Sequence, residues 1–249
     1  MAGPHPSVAA TRLAVRRCLA DVPSGSTVVV ACSGGPDSLA LVAATVHEAR
    51  AGGWRVVGAT VDHGMQDGSE AQAARVVEQM AEIGVDETLA ARVTVDPGGL
   101  GPEAAARRAR YAVLDQVAEH TAASVVLLGH TRDDQAETVL MNLLRGSGVP
   151  GAAGIGEPDR RPLLALRRSE TRALCAARAL TPAHDPMNDD PRFLRNRVRH
   201  EVLPLLAEVS GRDPVPILAR HAELAHEAVG LLAGLVADVD ATDVKALTL

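Results

Sequence analysis

The chain has 249 residues, of which 47% are hydrophobic and 1% aromatic, and its formal net charge is −6. This length allows one large α/β domain, and the acidic balance argues against a general nucleic-acid-binding protein. No apolar run has the length of a membrane span and no signal pattern opens the chain, so the sequence predicts a cytoplasmic protein with no membrane partner. The cysteines Cys18, Cys32 and Cys175 form no CxxC pair, and we interpret them as buried thiols rather than a disulfide or metal set.

Apolar, β-branched runs alternate with helical patterns along the chain. We expect strands at residues 27–30, 55–61, 88–95 and 124–128. We expect helices at residues 7–20, from 39 onward, 69–84 with Ser69 as N-cap, 102–120, 132–144, 170–180, 193–206 with Pro204 bending or ending it, and 213–238. The alternation predicts an α/β fold: a twisted, Rossmann-like parallel sheet with helices on both faces, followed by a smaller helical part.

The segment between the first strand and its helix predicts a phosphate-binding loop. It consists of Ser33, Gly34, Gly35, Pro36, Asp37 and Ser38. Its glycines let the backbone approach an anion, its hydroxyls can donate hydrogen bonds, and the following helix N-terminus favours negative charge. A Walker-type loop needs a lysine after its last glycine, and Lys245 is the only lysine in the chain, so that class is excluded. Asp37 beside phosphates indicates a divalent cation between them, and a ligand-free turn is the alternative.

Polar side chains also follow other predicted strands. Asp62 and His63 come after the second strand, and His130 comes after the fourth. The carboxyl ends of parallel strands form one edge of the sheet, and ligands bind at that edge. We therefore expect these side chains to lie along the same edge as the phosphate-binding loop.

Acidic residues begin the helix predicted at residues 132–144. Glu137 is four residues after Asp133 and three after Asp134, so it can share a helix face with either aspartate. A simple role in favouring the helix dipole would explain one or two of these acids. Together with Asp37, they predict a Mg²⁺ site between carboxylates and phosphate oxygens.

Arginines are concentrated in two parts of the chain. Arg107 and Arg110 lie on the helix predicted at residues 102–120, where Arg107 can share a face with Tyr111. Residues 160–200 contain ten arginines against four acidic residues, and they include Arg195, Arg197 and Arg199. A solvated arginine surface is one interpretation, but arginine also suits bidentate phosphate contacts and stacking on bases.

These motifs together resemble those of the tRNA(Ile)-lysidine synthetase family, a branch of the N-type ATP pyrophosphatases with an adenine-nucleotide α-hydrolase-like fold. The matching segments follow the family's order and are residues 33–38, 61–64, 103–111, 129–138, 144–148, 185–188 and 195–204. Family members often carry alanine at the position of Arg132 and serine at that of Met187. Neither departure removes a group that the chemistry needs.

The resemblance implies an ATP- and Mg²⁺-dependent ligase that joins free L-lysine to carbon 2 of the wobble cytidine of tRNA(Ile) with a CAU anticodon. The cytidine would be adenylated first, with release of pyrophosphate and then AMP. The catalytic residues implied are Asp37, Asp134, Glu137, His130 and Arg195, with Asp37 and Asp134 as metal ligands. ATP would contact residues 33–38, Asp62 and His63, and tRNA or substrate would contact Arg107, Arg110, Arg195, Arg197 and Arg199.

We expect a catalytic domain at residues 1–206, with its sheet core at about 27–156 and an arginine-rich substrate segment at about 157–206. We expect a helical segment at residues 207–249. Whether the C-terminus is truncated and whether the protein forms a homodimer are questions that the sequence leaves open. One alternative function is tRNA cytidine 2-thiolation, although those enzymes carry CxxC pairs for an iron–sulfur cluster. A pyrophosphatase acting on a small metabolite and an ATP sensor without turnover are the others.

Overall fold

A computed structural model describes residues 3–62, 68–93, 102–156 and 160–237. Within these ranges the strands are β1 (Thr27–Ala31), β2 (Arg55–Asp62), β3 (Glu87–Arg92) and β4 (Val125–Leu127). They form a parallel sheet in the order β3-β2-β1-β4. The predicted parallel α/β architecture is therefore confirmed.

The helices lie between and after these strands. In the described ranges they are α1 (Pro6–Cys18), α2 (Pro36–Gly52), α3 (Ser69–Ile83), α4 (Pro102–His120), α5 (Arg132–Leu144), α6 (Val149–Ala152), α7 (Arg168–Ala177), α8 (Leu194–Arg197), α9 (Leu203–Ser210) and α10 (Pro214–Ala237). Short 3₁₀ turns occupy Pro162–Ala165 and Pro186–Asn188. In the described part of the chain, no helix combines the length and the apolar character needed to cross a bilayer.

The chain divides into two compact units. The sheet unit comprises Met1–Thr131 and Pro158–Asp185, and the helical unit comprises Arg132–Glu157 and Pro186–Leu249. Each unit therefore contains two separate segments of the chain. The domain boundary expected near residue 206 stays a prediction.

The core of the sheet unit explains why its strands are apolar throughout. Val28, Val29 and Val30 are completely buried, and successive side chains of a strand point to opposite faces. Val28 and Val30 belong to a core with α1, α2, α3 and α7, whereas Val29 belongs to a second core with α4. Helices therefore cover both faces of the sheet, as the sequence predicts.

The helical unit has a smaller core, built from α5, α9, α10 and the turn between α8 and α9. Its buried members are Ala136, Met141, Val198, Leu203 and Val215. Helix α10 packs against α5 and α6. The helix expected at residues 213–238 is observed as α10, Pro214–Ala237, and it contributes Val215 to this core.

Several predicted helix starts are wrong by one to three residues, among them that of α2, which begins at Pro36 rather than at residue 39. Gly68, at φ 81°, is the N-cap of α3, so Ser69 is the first helical residue rather than the cap. Glycine takes this position because it adopts positive φ without steric penalty. Helix α7 begins at Arg168 rather than at residue 170, because the Glu170 carboxylate accepts a hydrogen bond from the Arg167 amide at 2.8 Å and caps an earlier turn.

Pro204 does not end the helix predicted at residues 193–206. Helical backbone continues through a π-helical segment, Val198–Val202, into α9, and it stops only at Gly211, at φ 64°. Pro204 is the second residue of α9, but helical backbone precedes it, so its missing amide hydrogen removes one hydrogen bond from this continuous helix. The wider π turn before it accommodates the proline ring, so the sequence interruption becomes a change in helix type.

Candidate active site

The sheet order places the phosphate-binding loop at a reversal of the topology. The chain runs from β1 to β2 on one side, whereas β4 pairs with β1 on the other side. Ligands of open parallel sheets bind at the carboxyl ends of strands beside such a reversal. The loop after β1 and the residues after β4 both lie at this point.

Gly129, just after β4, contacts the beginning of α2. A Cβ atom on Gly129 would lie 3.2 Å from the carbonyl carbon of Asp37 and from the nitrogen and Cα of Ser38. These are backbone atoms, so any larger side chain at residue 129 would displace the loop or the strand end. Because His130 follows Gly129 in the chain, this close approach puts the His130 backbone at the same sheet edge as the loop.

Residues 33–38 form a tight turn that Ser38 closes. The Ser38 hydroxyl accepts a hydrogen bond from the Ser33 amide at 3.2 Å and donates one to the Gly35 carbonyl oxygen at 2.9 Å. Gly34 has φ +81°, and a Cβ there would lie 2.5 Å from a Val76 methyl carbon. Ser38 is buried while Ser33 is exposed. The Ser38 hydroxyl therefore maintains the turn, and Ser33 presents the accessible hydroxyl.

Asp37, in the first turn of α2, contacts side chains of α7. Thr171 donates a hydrogen bond to Asp37 Oδ1, and Arg168 Nε lies 3.6 Å from Asp37 Oδ2. The Asp37 side chain keeps 20% of its surface exposed. It is thus a partly accessible carboxylate beside the predicted phosphate site, with a positive charge already next to it.

The other predicted residues of the sheet edge differ in accessibility. Asp62, at the end of β2, is buried, and its Oδ2 lies 3.8 Å from Arg92 Nε. His130 is half-buried. His63 lies outside the described residues.

Asp134 and Glu137 form an ion cluster with two arginines inside the helical unit. Glu137 is completely buried, and Arg199 contacts both of its oxygens, with Nε–Oε1 at 2.7 Å and Nη2–Oε2 at 3.0 Å. Arg195 Nη1 lies 3.3 Å from Glu137 Oε2 and 4.0 Å from Asp134 Oδ1. Arg199 Nη2 lies 3.7 Å from Asp134 Oδ1. The two carboxylates and two guanidinium groups have no net charge together, and this pairing offsets the desolvation cost of burying Glu137.

Three of the five arginines predicted to contact tRNA or substrate lie in the helical unit and have different surroundings. Arg199 uses two of its nitrogens on Glu137, whereas Arg195 divides its contacts between Glu137 and Thr138. Arg197 faces the surface and pairs with Glu201 at 3.0 Å. The Arg197 guanidinium is therefore exposed, whereas those of Arg195 and Arg199 contact the buried Glu137 carboxylate.

Arg107 and Tyr111 share a face of α4, as the sequence predicts. The Arg107 guanidinium carbon lies 5.1 Å from the Tyr111 ring centroid, and Arg107 Nη2 donates to the phenol oxygen at 3.2 Å. Arg161 donates to the same oxygen at 3.3 Å. Arg110 is exposed. The face therefore combines an aromatic ring with guanidinium groups, a combination that suits phosphates and bases.

A metal site made of protein ligands alone is absent from the described residues, among which no three His, Cys, Asp or Glu side chains come together. Mg²⁺ commonly keeps water and uses one or two carboxylates with substrate phosphates. Asp37, a partly exposed carboxylate in the loop, fits that requirement. Asp37 belongs to the sheet unit and Asp134 to the helical unit, so their joint role as ligands stays a prediction.

Comparison with known proteins identifies the family. Residues 10–206 match the PP-loop domain family. A tRNA(Ile)-lysidine synthase from Streptomyces coelicolor is 46% identical over an alignment 257 residues long. This alignment covers 90% of this chain and 73% of that protein. The corresponding protein of Thermobifida fusca is 49% identical over 227 residues, covering 90% of this chain and 70% of its own length. This chain belongs to the tRNA(Ile)-lysidine synthase family.

The fold of this family member also resembles that of a distant tRNA-modifying protein. The U34-tRNA thiolase NcsA from Methanococcus maripaludis, solved with its 4Fe-4S cluster, superimposes with a TM-score of 0.73 at 19% identity. The match covers 88% of this chain and 79% of the thiolase. At this identity the similarity establishes a shared fold and nothing about chemistry.

Sequence reasoning missed several residues that shape the site. Thr171 and Arg168 contact Asp37, while Gln135 and Asn142 of α5 bind the segment that follows it. Gln135 Oε1 accepts from the Ile155 amide at 2.7 Å, and Asn142 Nδ2 donates to the Gly151 carbonyl oxygen at 2.9 Å. Only Gln135 lay within a recognised motif, and no spacing rule predicts the partners of the others.

Proposed function

We propose that this protein uses ATP to join L-lysine to carbon 2 of the wobble cytidine in tRNA(Ile) with a CAU anticodon, which forms lysidine. The observation that carries the proposal is 46–49% identity to tRNA(Ile)-lysidine synthases across 90% of the chain. The intact phosphate-binding loop at the topological reversal supports it. A reaction on tRNA is consistent with the predicted cytoplasmic location.

In the first half-reaction, the oxygen on carbon 2 of the cytidine attacks the α-phosphorus of ATP. The bond from that phosphorus to the leaving pyrophosphate breaks, and the cytidine oxygen becomes part of an adenylate. The protein's contribution is positioning and charge neutralisation, because phosphoryl transfer needs little covalent help. Ser33, the backbone of Gly34 and Gly35, and the first turn of α2 would bind the phosphates.

In the second half-reaction, the side-chain amine of lysine attacks carbon 2 of the cytidine. The carbon–oxygen bond breaks, AMP leaves with that oxygen, and the amine loses a proton. Adenylation is required because it converts a poor leaving oxygen into a good one. His130, half-buried at the sheet edge, is the predicted group with a side chain suited to accept that proton.

Mg²⁺, when bound, would neutralise charge on the ATP phosphates. Asp37 supplies a hard oxygen ligand in the loop itself, and we propose Asp134 as the second carboxylate. Asp62 and His63 are proposed ATP contacts. Asp62 is buried against Arg92, which favours a role in shaping the end of β2 over direct contact with phosphates.

The arginines have four proposed roles. Arg107 and Arg110 on α4, with Tyr111, would contact RNA phosphates or stack on a base. Arg197 is exposed enough to bind the RNA backbone. Arg195, whose Nη1 lies 3.3 Å from Glu137 Oε2, would contact the reacting groups. Arg199, which contacts both Glu137 oxygens, would keep that carboxylate in place.

The decisive assay measures pyrophosphate and AMP release with and without unmodified tRNA(Ile) and lysine. We expect pyrophosphate release to need tRNA, and AMP release with lysidine formation to need both. Asp37→Asn should remove AMP formation while the circular dichroism spectrum stays native. Cleavage equally fast without RNA would favour a metabolite-acting pyrophosphatase, and a sulfur-containing product would favour 2-thiolation.

Oligomeric state is a separate proposal. A homodimer is the assembly that we propose to test, by light scattering with and without tRNA. A single mass at the monomer value under both conditions would reject it.

A further inference from the structure

Helix α7 and the segment after it contact the phosphate-binding loop at three places. The Ala183 amide donates to the Gly34 carbonyl oxygen at 2.9 Å. The Cys175 thiol donates to the Pro36 carbonyl oxygen at 3.3 Å. Thr171 and Arg168 contact the Asp37 carboxylate. All these residues belong to the sheet unit, so the arrangement is a property of one compact body.

The two oxygens of Asp37 have different neighbours. Oδ1 accepts a hydrogen bond from Thr171, and Oδ2 faces Arg168 Nε at 3.6 Å. Arg168 is 14% exposed and Asp37 is 20% exposed, so water screens this pair incompletely. Arg168 therefore supplies positive charge where the proposed metal ion must also supply it.

Thr171 has a second acceptor within reach. Its hydroxyl lies 2.8 Å from the Arg168 carbonyl oxygen as well as beside Asp37 Oδ1, and it is completely buried. A hydroxyl has one hydrogen, so it donates to one of these oxygens at a time. Because Thr171 is fixed in the core, its contact holds the orientation of the carboxylate.

We propose that Arg168 is the counter-ion of Asp37 in the nucleotide-free protein and competes with Mg²⁺ for that carboxylate, while Thr171 orients the carboxylate for the metal. The inference rests on the proposed use of ATP with Mg²⁺. Arg168 and Thr171 are positioning residues, because they act through Asp37. Their effects on Mg²⁺ binding must have opposite signs, since Arg168 opposes the metal and Thr171 assists it.

The experiment titrates Mg²⁺ against the full chain with a non-hydrolysable ATP analogue, using calorimetry to measure binding. Arg168→Gln is expected to lower the Mg²⁺ concentration for half-maximal binding by about two- to fivefold, the range of a partly exposed ion pair. Thr171→Val is expected to raise it by a similar factor, and Thr171→Ser should restore it. Arg168→Lys keeps the charge and should stay near the wild-type midpoint.

Arg172→Gln is the matched control, because Arg172 is an exposed arginine on the same helix. It should leave the midpoint unchanged. If Arg168→Gln does not fold, Arg168→Met keeps the aliphatic packing and should show the same fall. An unchanged or raised midpoint for the Gln or Met variant would overturn the counter-ion role, and no rescue by Thr171→Ser would overturn the orienting role.

This result is separable from the proposed function. A wild-type protein that binds the analogue with Mg²⁺ but makes no lysidine would reject the proposed function and leave the Arg168 role standing. One that makes lysidine, with a midpoint insensitive to Arg168, would reject only the further inference. A protein that binds no ATP analogue would reject both.

Discussion

At the scale of single residues, two thiols flank the phosphate-binding loop. Cys32 immediately precedes the loop, and Cys175 contacts the Pro36 carbonyl oxygen; both are 2% exposed. Burial raises the pKa of the Cys32 thiol, and burial with the nearby Asp37 carboxylate raises the pKa of Cys175 to about 11. The interpretation of these two residues as buried thiols is confirmed, whereas Cys18 is only half-buried.

This pKa shift predicts a loss of stability in alkaline solution. The usual thiol pKa is 9.0, so an unfolded Cys175 ionises at lower pH than the folded one. The contribution of Cys175 is therefore complete below pH 9 and is lost as pH rises towards 11. Between these values the free energy of unfolding should fall by ~1–2 kcal/mol, after allowance for solvent screening.

Urea denaturation at several pH values tests this, with Cys175→Ala as the variant. The variant should show a smaller fall over the same range, because the Cys175 thiol no longer contributes while the Cys32 thiol keeps its raised pKa. Identical pH profiles for the two proteins would contradict the assignment to Cys175.

At the scale of elements, the end of β4 packs closely on the start of α2 because residue 129 is a glycine and has no Cβ atom. Gly129→Ala would place a methyl group 3.2 Å from three backbone atoms of residues 37 and 38. Backbone atoms cannot avoid the methyl group by a rotamer change, as a side chain could. We therefore expect the free energy of unfolding to fall by about 1–3 kcal/mol and ATP to bind more weakly. Gly156→Ala, where a Cβ would meet nothing within 4 Å, is the control. Equal ATP affinity in the Gly129 variant would show that the loop tolerates the shift.

The contacts of α5 with α8 and the π segment predict a large effect at Glu137. Glu137→Ala removes a completely buried carboxylate that contacts both Arg195 and Arg199, so it should lower the free energy of unfolding by about 3–5 kcal/mol. Glu201→Ala breaks an exposed pair with Arg197 and should lower it by less than ~1 kcal/mol. Urea denaturation measures both. Similar values for the two variants would mean that the buried cluster adds little stability.

At the scale of the whole molecule, an acidic protein must bind a polyanion. The net charge is −6, while residues 160–200 carry ten arginines and four acidic residues. Several of those arginines are engaged: Arg160 with Asp21, Arg192 with Asp190, and Arg197 with Glu201. For Arg160, Arg192 and Arg197, binding an RNA phosphate would mean sharing the guanidinium with a carboxylate or exchanging one partner for the other.

Arg195→Ala should lower single-turnover adenylation of tRNA by about tenfold or more, with little change in ATP affinity. If Arg195 binds an RNA phosphate, the slope of log affinity against log salt should also fall by ~0.7–0.9. If it contacts the cytidine base, the slope should stay the same while the rate falls. Normal adenylation together with an unchanged slope would remove Arg195 from the site.

The sequence by itself determined those features that depend on neighbouring residues. Valine runs give buried strands, and the 33–38 loop follows from its glycines and serines. The face shared by Arg107 and Tyr111 follows from helical spacing. The family could also be predicted, because its motifs are short segments of local chemistry in a fixed order.

Only the tertiary structure decided which charges meet. Thr171 reaches Asp37 across 134 residues, and Arg199 reaches Glu137 across 62. The local sequence pattern predicted site roles for Asp37, Glu137 and Arg199, but it did not predict which side chains they contact. These contacts depend on how distant segments pack. The fold of the sheet unit brings Thr171 to Asp37, and the packing of α5 against the π segment brings Arg199 to Glu137. The contacts of Ser38 are local by contrast, because its hydroxyl is hydrogen-bonded to Ser33 and Gly35 within the same loop.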